Sequence, residues 1–517
     1  MSGSGEMSDL VARDGQLLCP GVRTTRVPAA AVQAVVQEMG TREGSRLADF
    51  FGAVEEGALV LRLVYALDSA REYLVVEWAV EGPEYPSLSD VDPAAFVEEC
   101  EIYEQFGVRP AAPKLLDRLV VPPHAGADFP RLGAPPPREA RTPHAAHYVT
   151  GEAFEFPYGP VRAVAQESLY MGLVTSGEEV IDLYLLQWHK HRAVERRLQG
   201  LSVEQALFVV ERTEGLSAVA NAWAFCRAAE ALSELELPEP VEVARAVALE
   251  LERLYNHAAA VAALCQATGL SVGQAQAEMA LEELLRLNLA GFGHRYLFGA
   301  VSFGGLGRPL DQGAVARLLP PAYDQLRRAI ESLWSTNSFM DRLEACGVVS
   351  PPDARRLGLV GPVARASGRD LDTRRDHPFS LFGDVATRVA VRQKGDALAR
   401  MEVMADEAEA SARLVTTLTT GSPPNRSTSS SAGSASQLGR RSSTRAGAAL
   451  GWSESPRGES LAWLSLGGDG RVERARLRPG SARNWRAFDD AARSRNVFTD
   501  IPIIEASFWL TVAGIAR

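Results

Sequence analysis

The first part of the chain alternates between helical and strand-like patterns of hydrophobic residues. Residues 29–40 and 96–108 carry apolar side chains at the three- and four-residue spacing of an amphipathic helix. Between them, residues 58–68 and 72–82 are rich in Val, Leu, Tyr and Trp, as is typical of two strands joined by a short hairpin connection. The pattern therefore predicts a small α+β domain over residues 26–110.

The pattern changes to mainly helical after residue 146. Two strands around a loop are predicted within residues 147–186, and nearly everything from 186 to 300 has helical periodicity. The clearest helix spans residues 241–269 and ends at a glycine. Two further helices and a β-hairpin are predicted at 320–347, 384–418 and 452–481. Residues 146–517 are thus expected to form a mainly α-helical domain with small β elements.

Several stretches lack this periodicity. Residues 1–25 resemble a flexible leader, residues 111–145 are a proline-rich linker, and residues 421–448 are a low-complexity insert predicted to be disordered. The apolar segment 501–516 is too short to cross a membrane and is predicted to be a buried C-terminal segment.

Composition narrows the class of protein. The chain has 517 residues, 46% of them hydrophobic, and a net charge of -11, which argues against nucleic acid as a general partner. Its five cysteines are scattered, with no CxxC pair, as expected for a reducing cytoplasm. The start of the chain lacks the apolar core of a signal peptide.

Several separated motifs resemble a known family. The helix end EECEIYEQFGV resembles the signature of the C-type subunit of bacterial complex I. Residues 150–517 resemble the D-type subunit of complex I and the large subunit of membrane-bound group 4 [NiFe] hydrogenases, which also carries a C-type domain. The motifs that carry this resemblance, in the family's order, are FPYGPVRAVAQESLYMGL, HKHRAVERRLQG, ARAVALELERLYNH, VGPVARASGRDLDTRRDHPF, SPRGES and IPIIEASFWLTVAGIAR.

The residues that bind metal in the hydrogenases are replaced here. A nickel–iron centre requires four thiolates, which that family supplies as two CxxC pairs. The first pair falls on Glu214 and Ser217, and the second on Leu510 and Ala513. Cys226 lies nine residues beyond Ser217 and is interpreted as a small buried residue. We therefore expect no metal to be bound by this chain, covalently or otherwise.

The D-type subunit of complex I also lacks these cysteines, and in that branch the emptied cavity binds the quinone headgroup. The resemblance implies a tyrosine and a loop histidine there, but this sequence has Gly215 and Arg162 at those places. Tyr170 is the nearest phenol in register, and its alternative role is packing on a strand. Ser217 and His191 complete the candidate quinone-binding residues, with His191 matching a family position that orients its neighbours.

The candidate catalytic residues are charged. Glu214 is interpreted either as a proton carrier or as a carboxylate stabilised at a helix N-terminus. Arg457 matches the arginine that lies over the metal centre in hydrogenases, and either polarises an oxygen or pairs with Glu214. Asp372 and Arg374 are assigned to the same charged network. The alternative for Arg457, Asp372 and Arg374 is a structural salt bridge.

The resemblance implies an oxidoreductase subunit of a membrane respiratory complex. It would lie peripherally on the cytoplasmic face, beside a [4Fe-4S] small subunit and antiporter-like membrane subunits, and reduce a quinone. The resemblance also implies that NAD is handled by other subunits, and no dinucleotide-binding motif occurs in this sequence. The competing hypothesis is a non-catalytic scaffold. An open polar cavity between Glu214, Arg457 and Leu510 would favour catalysis, whereas a filled apolar one would favour the scaffold.

Overall fold

The computed structural model describes residues 15–111, 116, 119–123, 125–126, 128–135, 153–162, 167–385, 387–421, 445–493 and 495–517. Most of the insert predicted at 421–448, much of the linker predicted at 111–145 and the first 14 residues of the predicted leader lie outside the described residues.

The strands are β1 (Gln16–Cys19), β2 (Val22–Arg26), β3 (Ser45–Glu55), β4 (Ala58–Leu67), β5 (Glu72–Ala79), β6 (Glu84–Tyr85), β7 (Arg109–Pro110), β8 (Phe154–Tyr158), β9 (Tyr170–Ser176), β10 (Glu179–Leu186), β11 (Val301–Ser302), β12 (Gly305–Leu306), β13 (Gly447–Ser455), β14 (Gly458–Leu466) and β15 (Val472–Arg478). The α-helices are α1 (Val32–Thr41), α2 (Phe96–Phe106), α3 (Val194–Leu198), α4 (Val203–Val210), α5 (Ala218–Leu232), α6 (Glu239–Ala267), α7 (Ser271–Phe292), α8 (Gln312–Trp334), α9 (Asn337–Leu343), α10 (Pro351–Arg356), α11 (Gly361–Ala366), α12 (Thr373–Asp376), α13 (Ala397–Thr420), α14 (Gly480–Arg493) and α15 (Ile501–Phe508).

The N-terminal domain is a five-stranded sheet in the order β1-β2-β5-β4-β3. The predicted hairpin is present as the antiparallel pair β4–β5, and α2 ends at Gly107 in the left-handed conformation. Residues 16–25 differ from the prediction, because they form β1 and β2 and not a flexible leader. Strand β2 pairs in parallel with β5 and buries Val22, so this part of the chain covers a sheet edge that would otherwise be unpaired.

The five-stranded sheet is buried on both faces. One face packs with α1 and α2 around Phe50, Leu61 and Trp78. The other face contributes Phe51 and Val64 to the large core of the C-terminal domain. This double burial explains why β3, β4 and β5 read as nearly continuous apolar runs and do not alternate between apolar and polar residues.

The C-terminal domain is built around the long helix α6, which is buried along most of its length and packs against α7, α13 and α15. A three-stranded sheet, β13-β14-β15, packs on α5, and a second, β10-β9-β8, lies next to α14. The predicted hairpin turning at residues 467–470 joins β14 and β15. These elements confirm the predicted α+β domain followed by a mainly helical domain with small β elements.

Two predicted helix starts are wrong. Helix α8 begins at Gln312, because Asp311 caps it by accepting the Ala314 amide at 2.8 Å, and Pro320 and Pro321 lie inside the helix. Helix α13 begins only at Ala397, after Asp396 as its cap. Gly395 ends the preceding loop with a φ of +67°. A Cβ on this residue would lie 2.0 Å from the Val349 carbonyl oxygen, so the position requires glycine.

Buried ion pairs join the two domains. Arg46 of β3 donates to both carboxylate oxygens of Glu459 on β14, at 2.9 and 2.8 Å. Asp49 accepts hydrogen bonds from Arg476, and Glu98 of α2 accepts a hydrogen bond from Arg483 of α14. The N-terminal domain is therefore fixed against the same β13–β15 sheet that carries part of the candidate site. No helix in the described part of the chain has the length and apolar character needed to cross a membrane.

Candidate functional site

The two segments that replace the metal-binding motifs meet in the structure. Residues 214–217 precede α5, and residues 509–513 follow α15. Thr511 donates its hydroxyl hydrogen bond to Glu214 Oε1. The Arg192 guanidinium donates to the carbonyl oxygens of Thr213 and Ala513, the latter at 3.3 Å, and so bridges the two segments. We refer to this junction as the central cluster.

Arg457 lies at the middle of the central cluster. Its guanidinium donates to the Trp509 carbonyl oxygen at 2.5 Å, to Ser217 Oγ at 2.9 Å and to Asn256 Oδ1 at 3.2 Å. Its Nε also lies 4.0 Å from Glu214 Oε1. Every nitrogen of the guanidinium therefore has an acceptor from this chain.

Glycines allow the turn that carries Arg457. Gly458, with φ +111°, follows Arg457 in the connection between β13 and β14. A Cβ on Gly458 would lie 2.4 Å from the amide nitrogen of Gly361. Only a residue without a side chain permits the two backbones to approach this closely, which explains the glycine in the motif SPRGES.

Glu214 is buried, with an exposed fraction of 0%. Its Oε1 accepts hydrogen bonds from the hydroxyls of Ser481 and Thr511, whereas its Oε2 has no hydrogen-bond partner within the described chain. The side chain does not cap the short 3-10 helix Gly215–Ser217 that follows it. The geometry therefore favours the interpretation of Glu214 as a member of a polar cluster over that of a helix-capping carboxylate.

Glu252 on α6 takes the capping role instead, and the sequence did not mark it as a site residue. Its carboxylate accepts the amides of Val219 and Ala220, at 2.7 and 3.1 Å, at the start of α5. Burial raises the pKa of Glu252 to about 8, although these two amides and Arg457 act to lower it. A carboxyl group that can hold a proton near neutral pH thus lies behind the central cluster.

The raised pKa of Glu252 predicts a pH dependence of stability. The folded protein retains the Glu252 proton up to about pH 8, whereas the unfolded chain releases it near the ordinary glutamate pKa of 4.5. Stability from this group is therefore greatest below pH 4.5 and declines by about 1.4 kcal/mol per pH unit as pH rises towards 8. We expect wild type to lose about 2–3 kcal/mol between pH 6 and 8 relative to Glu252→Gln. Urea unfolding of the full chain at both pH values measures this difference, and parallel pH profiles for the two proteins would contradict it.

Two further residues missed by sequence reasoning support the central cluster. Glu167 accepts the amides of Val512 and Ala513, the latter at 3.3 Å, and holds the C-terminal turn. Asn256, one turn beyond Glu252 on α6, donates to the Leu216 carbonyl oxygen at 2.7 Å while accepting from Arg457. Asn256, Glu167 and Thr511 lie within the quoted motifs ARAVALELERLYNH, FPYGPVRAVAQESLYMGL and IPIIEASFWLTVAGIAR but were not singled out there, and Ser481 lies outside all of the quoted motifs.

The other predicted quinone-binding residues lie around the cluster or away from it. Arg162 is buried, forms an ion pair with Glu505 on α15 and donates to the Leu169 carbonyl oxygen at 2.7 Å. Arg162 therefore lies next to α15, and its charge is paired with that of Glu505.

Tyr170 and His191 do not contact the central cluster. Tyr170 donates to Glu155 at 2.8 Å within the β8–β10 sheet, as in its alternative role of packing on a strand. The His191 ring stacks on Phe129, with ring centroids 5.3 Å apart, and burial lowers its pKa. The neighbouring residue Arg192, and not His191, contacts the central cluster.

Asp372 and Arg374 belong to a separate group of buried charges, which we call the ion cluster. Its members are Glu250, Arg253, Arg365, Asp372, Arg374, Glu407 and Glu454. Arg374 donates to Asp372 at 2.9 and 2.6 Å and to Glu250 at 2.8 Å. Helix α6 connects this cluster to the central cluster, because it carries Glu250 on one side and Glu252 on the other.

The residues at the four replaced positions do not fit a nickel–iron centre. Ser217 Oγ accepts a hydrogen bond from the Arg457 guanidinium, and Glu214 accepts hydrogen bonds from two hydroxyl groups. The side chains of Leu510 and Ala513 have no atom that could bind a metal. Burial raises the pKa of the Cys226 thiol, which disfavours a thiolate. Across the described ranges, no three His, Cys, Asp or Glu side chains are arranged to bind a metal ion.

The space beside Arg457 is filled and has both polar and apolar walls. A cavity of about 10 Å³ lies next to the guanidinium, and it is lined by His257, Arg457 and Asn484 together with the largely apolar side chains of Pro362, Val363, Met404, Pro456, Phe508 and Trp509. That volume holds about one water molecule and no larger ligand. The geometry matches neither the open polar cavity expected for catalysis nor the filled apolar cavity expected for a scaffold.

Comparisons with known proteins agree with this architecture. Residues 25–134 match the family model of the respiratory-chain NADH dehydrogenase 30 kDa subunit, and residues 278–517 match that of the 49 kDa subunit. Formate hydrogenlyase subunit 5 of Escherichia coli (strain K12) is 26% identical over 94% of this chain and 87% of that protein. A D-type subunit of the NADH-quinone oxidoreductase of Chloroherpeton thalassium is 28% identical over 50% of this chain and 59% of that protein.

A solved structure shares the fold. One chain of the membrane-bound sulfane sulfur reductase, an archaeal respiratory membrane complex, superposes with a TM-score of 0.64 at 22% identity, covering 71% of this chain and 100% of that chain. The two family matches occur in one polypeptide, and the alignment with the hydrogenlyase relative covers 94% of that polypeptide. The chain therefore belongs to the family of complex I D-type (49 kDa) subunits and group 4 membrane-bound hydrogenase large subunits, with a C-type (30 kDa) domain fused at its N-terminal side.

Proposed function

We propose that this chain is the electron-transfer subunit of a complex I-like or group 4 hydrogenase-like membrane complex. It forms, with a [4Fe-4S] small subunit, the site where a quinone is reduced without a nickel–iron centre. The chain would lie peripherally on the cytoplasmic face and contact membrane subunits of the same complex. Its sequence relatives among oxidoreductase complexes support this placement.

The observation that carries the proposal is the arrangement of Glu214, Arg457 and Glu252. Reduction of a quinone to a quinol takes up two electrons and two protons. The Oε2 atom of Glu214 has no hydrogen-bond partner in the described chain, and its Oε1 atom lies 4.0 Å from Arg457 Nε. Glu252, a carboxyl group that can hold a proton near neutral pH, lies nearby on α6. The Arg457 charge can stabilise a developing oxyanion on the acceptor, and Glu252, which holds a proton near neutral pH, can supply a proton to the Glu214 region.

The acceptor would approach from the side of the C-terminal turn. Trp509 and Leu510 are only partly buried, unlike the surrounding residues of the turn. Another protein of the complex, docked there, would enclose the acceptor against residues 509–513. In this arrangement the described chain supplies one wall of the site, and the quinone headgroup exchanges hydrogen bonds with Arg457 or Glu214.

A specific observation favours the second candidate, a non-catalytic scaffold. All nitrogens of Arg457 have acceptors within the chain, and the cavity beside it holds about one water molecule. In a scaffold these hydrogen bonds would replace the metal as the structural centre of the protein. The two candidates differ in what the loss of the Glu214 charge does to turnover.

Quinone reduction by the purified membrane complex, driven by a chemical reductant, distinguishes them. We expect Glu214→Gln to lower turnover by about 100-fold or more, because a positioned proton donor contributes that much, while its partners still copurify. Tyr170→Phe removes a phenol that lies outside the central cluster and serves as the control with unchanged turnover. No turnover by fully assembled wild-type complex with any quinone would support the scaffold. Stoichiometric nickel in the same preparation would contradict the absence of a nickel–iron centre.

A further inference from the structure

A second cavity of about 10 Å³ lies between the two domains, next to the ion cluster. That volume holds about one water molecule. His377, from the motif VGPVARASGRDLDTRRDHPF, lines the cavity and has no part in the proposed reduction of a quinone. The other ionisable residues that line it come from both domains, and they are Arg46, Asp68, Asp372, Asp376, Glu454 and Glu459.

The imidazole ring of His377 is held in a fixed orientation. Its Nε2 lies 2.9 Å from Asp68 Oδ1. The ring packs against Tyr73, with ring centroids 4.4 Å apart, and the Trp452 indole donates to the His377 carbonyl oxygen at 2.8 Å. In the neutral ring, Nε2 therefore carries the proton and Nδ1 the lone pair, because a carboxylate only accepts hydrogen bonds.

Two buried atoms of the lining residues, Arg46 Nε and His377 Nδ1, have no hydrogen-bond partner within the described chain. The exposed fraction is 8% for Arg46 and 1% for His377. The Nε–H group of Arg46 can only donate a hydrogen bond, whereas Nδ1 of the neutral His377 ring can only accept one. A water molecule satisfies both atoms, because it accepts from the first and donates to the second.

A small ion fits this cavity less well than water. Five carboxyl groups line the cavity against one arginine, which disfavours an anion. In the part of the chain that the structure describes, no three His, Cys, Asp or Glu side chains are arranged to bind a metal ion. The carboxyl groups already accept hydrogen bonds from other side chains: Asp68 from His377, Asp372 from Arg374, Asp376 from Arg375, Glu454 from Arg365 and Glu459 from Arg46.

On one side, the cavity reaches the surface of the protein through Asp68. This residue also lines a groove of about 1050 Å³ between the two domains, and Glu43 and Asp90 are exposed where they line the same groove. The side chain of Asp68 is 19% exposed. Asp68 therefore joins the buried ring of His377 to the solvent in the groove.

On the other side, the cavity reaches the ion cluster through Glu454. Burial raises the pKa of Glu454, and the charge of Asp372 raises it further, whereas Arg365 acts to lower it. The pKa values of Asp372, Glu250 and Glu407 are lowered by their arginine neighbours in spite of burial. Glu454 is therefore the carboxyl group of the ion cluster that is best suited to hold a proton.

We propose that Asp68, His377 and one water molecule form a proton route between the interdomain groove and Glu454. A proton that leaves Glu454 passes to the water, and the water gives one of its own protons to His377 Nδ1. Nε2 then releases its proton to Asp68, which returns it to the solvent. The ring is left with its proton on Nδ1, so the next proton moves inward through the same atoms in reverse.

Hydrogen–deuterium exchange of the Glu454 carboxyl group tests the route in the purified full chain. This test does not depend on the proposed quinone reduction, because proton exchange needs no electron acceptor. The infrared carboxyl band that Glu454→Gln removes identifies the group. We expect this band to shift at once when wild type is transferred to D₂O. His377→Gln should slow the shift at least about tenfold, because an amide cannot pass a proton from one ring nitrogen to the other.

His257→Gln is the matched control. His257 is also a buried histidine that contacts a carboxylate, Glu407, at 2.9 Å, but it lines the cavity beside Arg457. We expect this variant to exchange like wild type. Slower exchange in His257→Gln together with unchanged exchange in His377→Gln would overturn the proposal, since protons would then enter from the central cluster. The absence of any Glu454 carboxyl band over the pH range of the folded protein would overturn it as well.

A high-resolution crystal structure of the wild-type chain gives a second test that needs no variant. We expect one ordered water molecule within hydrogen-bond distance of both Arg46 Nε and His377 Nδ1. A cavity without electron density, or density with the coordination distances of a metal ion, would contradict the route.

Discussion

Replacing Glu459 by glutamine is expected to destabilise the protein by about 3–5 kcal/mol, because it leaves buried guanidinium groups without a charged partner. Glu459 accepts from Arg46 at 2.9 and 2.8 Å and from the Tyr73 hydroxyl at 2.7 Å, and it also binds Arg478. Burial is the largest influence on its pKa, yet the two arginines hold that pKa below its usual value. The carboxylate is therefore ionised throughout the physiological range and cannot be replaced by a neutral amide without cost.

The free energy of unfolding of the full-chain Glu459→Gln variant is measured in urea and compared with that of Glu84→Gln. Glu84 pairs with Arg109 in the same N-terminal domain at 3.1 Å, but both side chains are about half exposed. An exposed pair of this kind contributes about 0–1 kcal/mol, so this control should unfold almost like wild type. If the two variants were equally stable, the carboxylate of Glu459 would not be what holds the domains together.

Replacing Arg374 by methionine is expected to cost a similar amount, about 3–5 kcal/mol, and to invert part of the pH dependence. In wild type, Arg374 donates to Asp372 and Glu250, and its charge lowers the pKa of each more than any other neighbouring charge does, against the effect of burial. A carboxyl group with a lowered pKa stabilises the fold above its unfolded pKa and loses that contribution as pH falls. Without Arg374, burial dominates, the pKa values of both carboxyl groups rise, and stability is then lost as pH rises.

Unfolding midpoints at pH 5.5 and 7.5 test this inversion. Arg374→Met should gain stability relative to wild type on moving from pH 7.5 to 5.5. Arg375→Met is the control on the same short helix, because Arg375 is partly exposed and pairs with Asp370 and Asp376 near the surface. A constant difference between Arg374→Met and wild type at the two pH values would show that Asp372 and Glu250 keep their lowered pKa values without this arginine.

These two expectations concern the parts of the protein that position the central cluster. Glu459 follows Arg457 by two residues, and the ion cluster is connected to the central cluster through α6. A structural role for Asp372 and Arg374 is the simplest account of their contacts, since each is fully paired within the ion cluster. Their assignment as catalytic residues remains a prediction, and the variants above measure only their contribution to stability.

Much of the fold could be predicted because the relevant signals are local. The α2 helix ends at a glycine in the left-handed conformation, and α6 carries an apolar stripe along its length. Helix starts were less predictable, because a proline such as Pro320 is typical of a first helical turn, although this helix begins at Gln312 with Asp311 as its cap. Strands β1 and β2 were missed because their pairing with β5 depends on a distant part of the chain.

The candidate site was predictable only in part, for a similar reason. Glu214 and Arg457 could be chosen because each occupies a position of a motif that resembles the family's. Tyr170 was chosen for its register along the chain, and the structure places it on a separate sheet. Glu167 and Thr511 lie within quoted motifs and Ser481 does not, but none of the three could be singled out, because a hydroxyl or carboxyl side chain becomes part of a site only through its neighbours in space.

The sequence by itself determined which chemistry the four replaced positions can support. A carboxylate, a hydroxyl, a leucine and an alanine cannot supply four thiolates in any conformation, because donor atoms are a covalent property of each residue. Only the tertiary structure decided what occupies the vacated space. Contacts between Glu214, Arg457 and Thr511 join residues more than 50 positions apart. Their hydrogen bonds depend on how α5, α15 and the β13–β14 turn pack together, and that packing has no local signature in the chain.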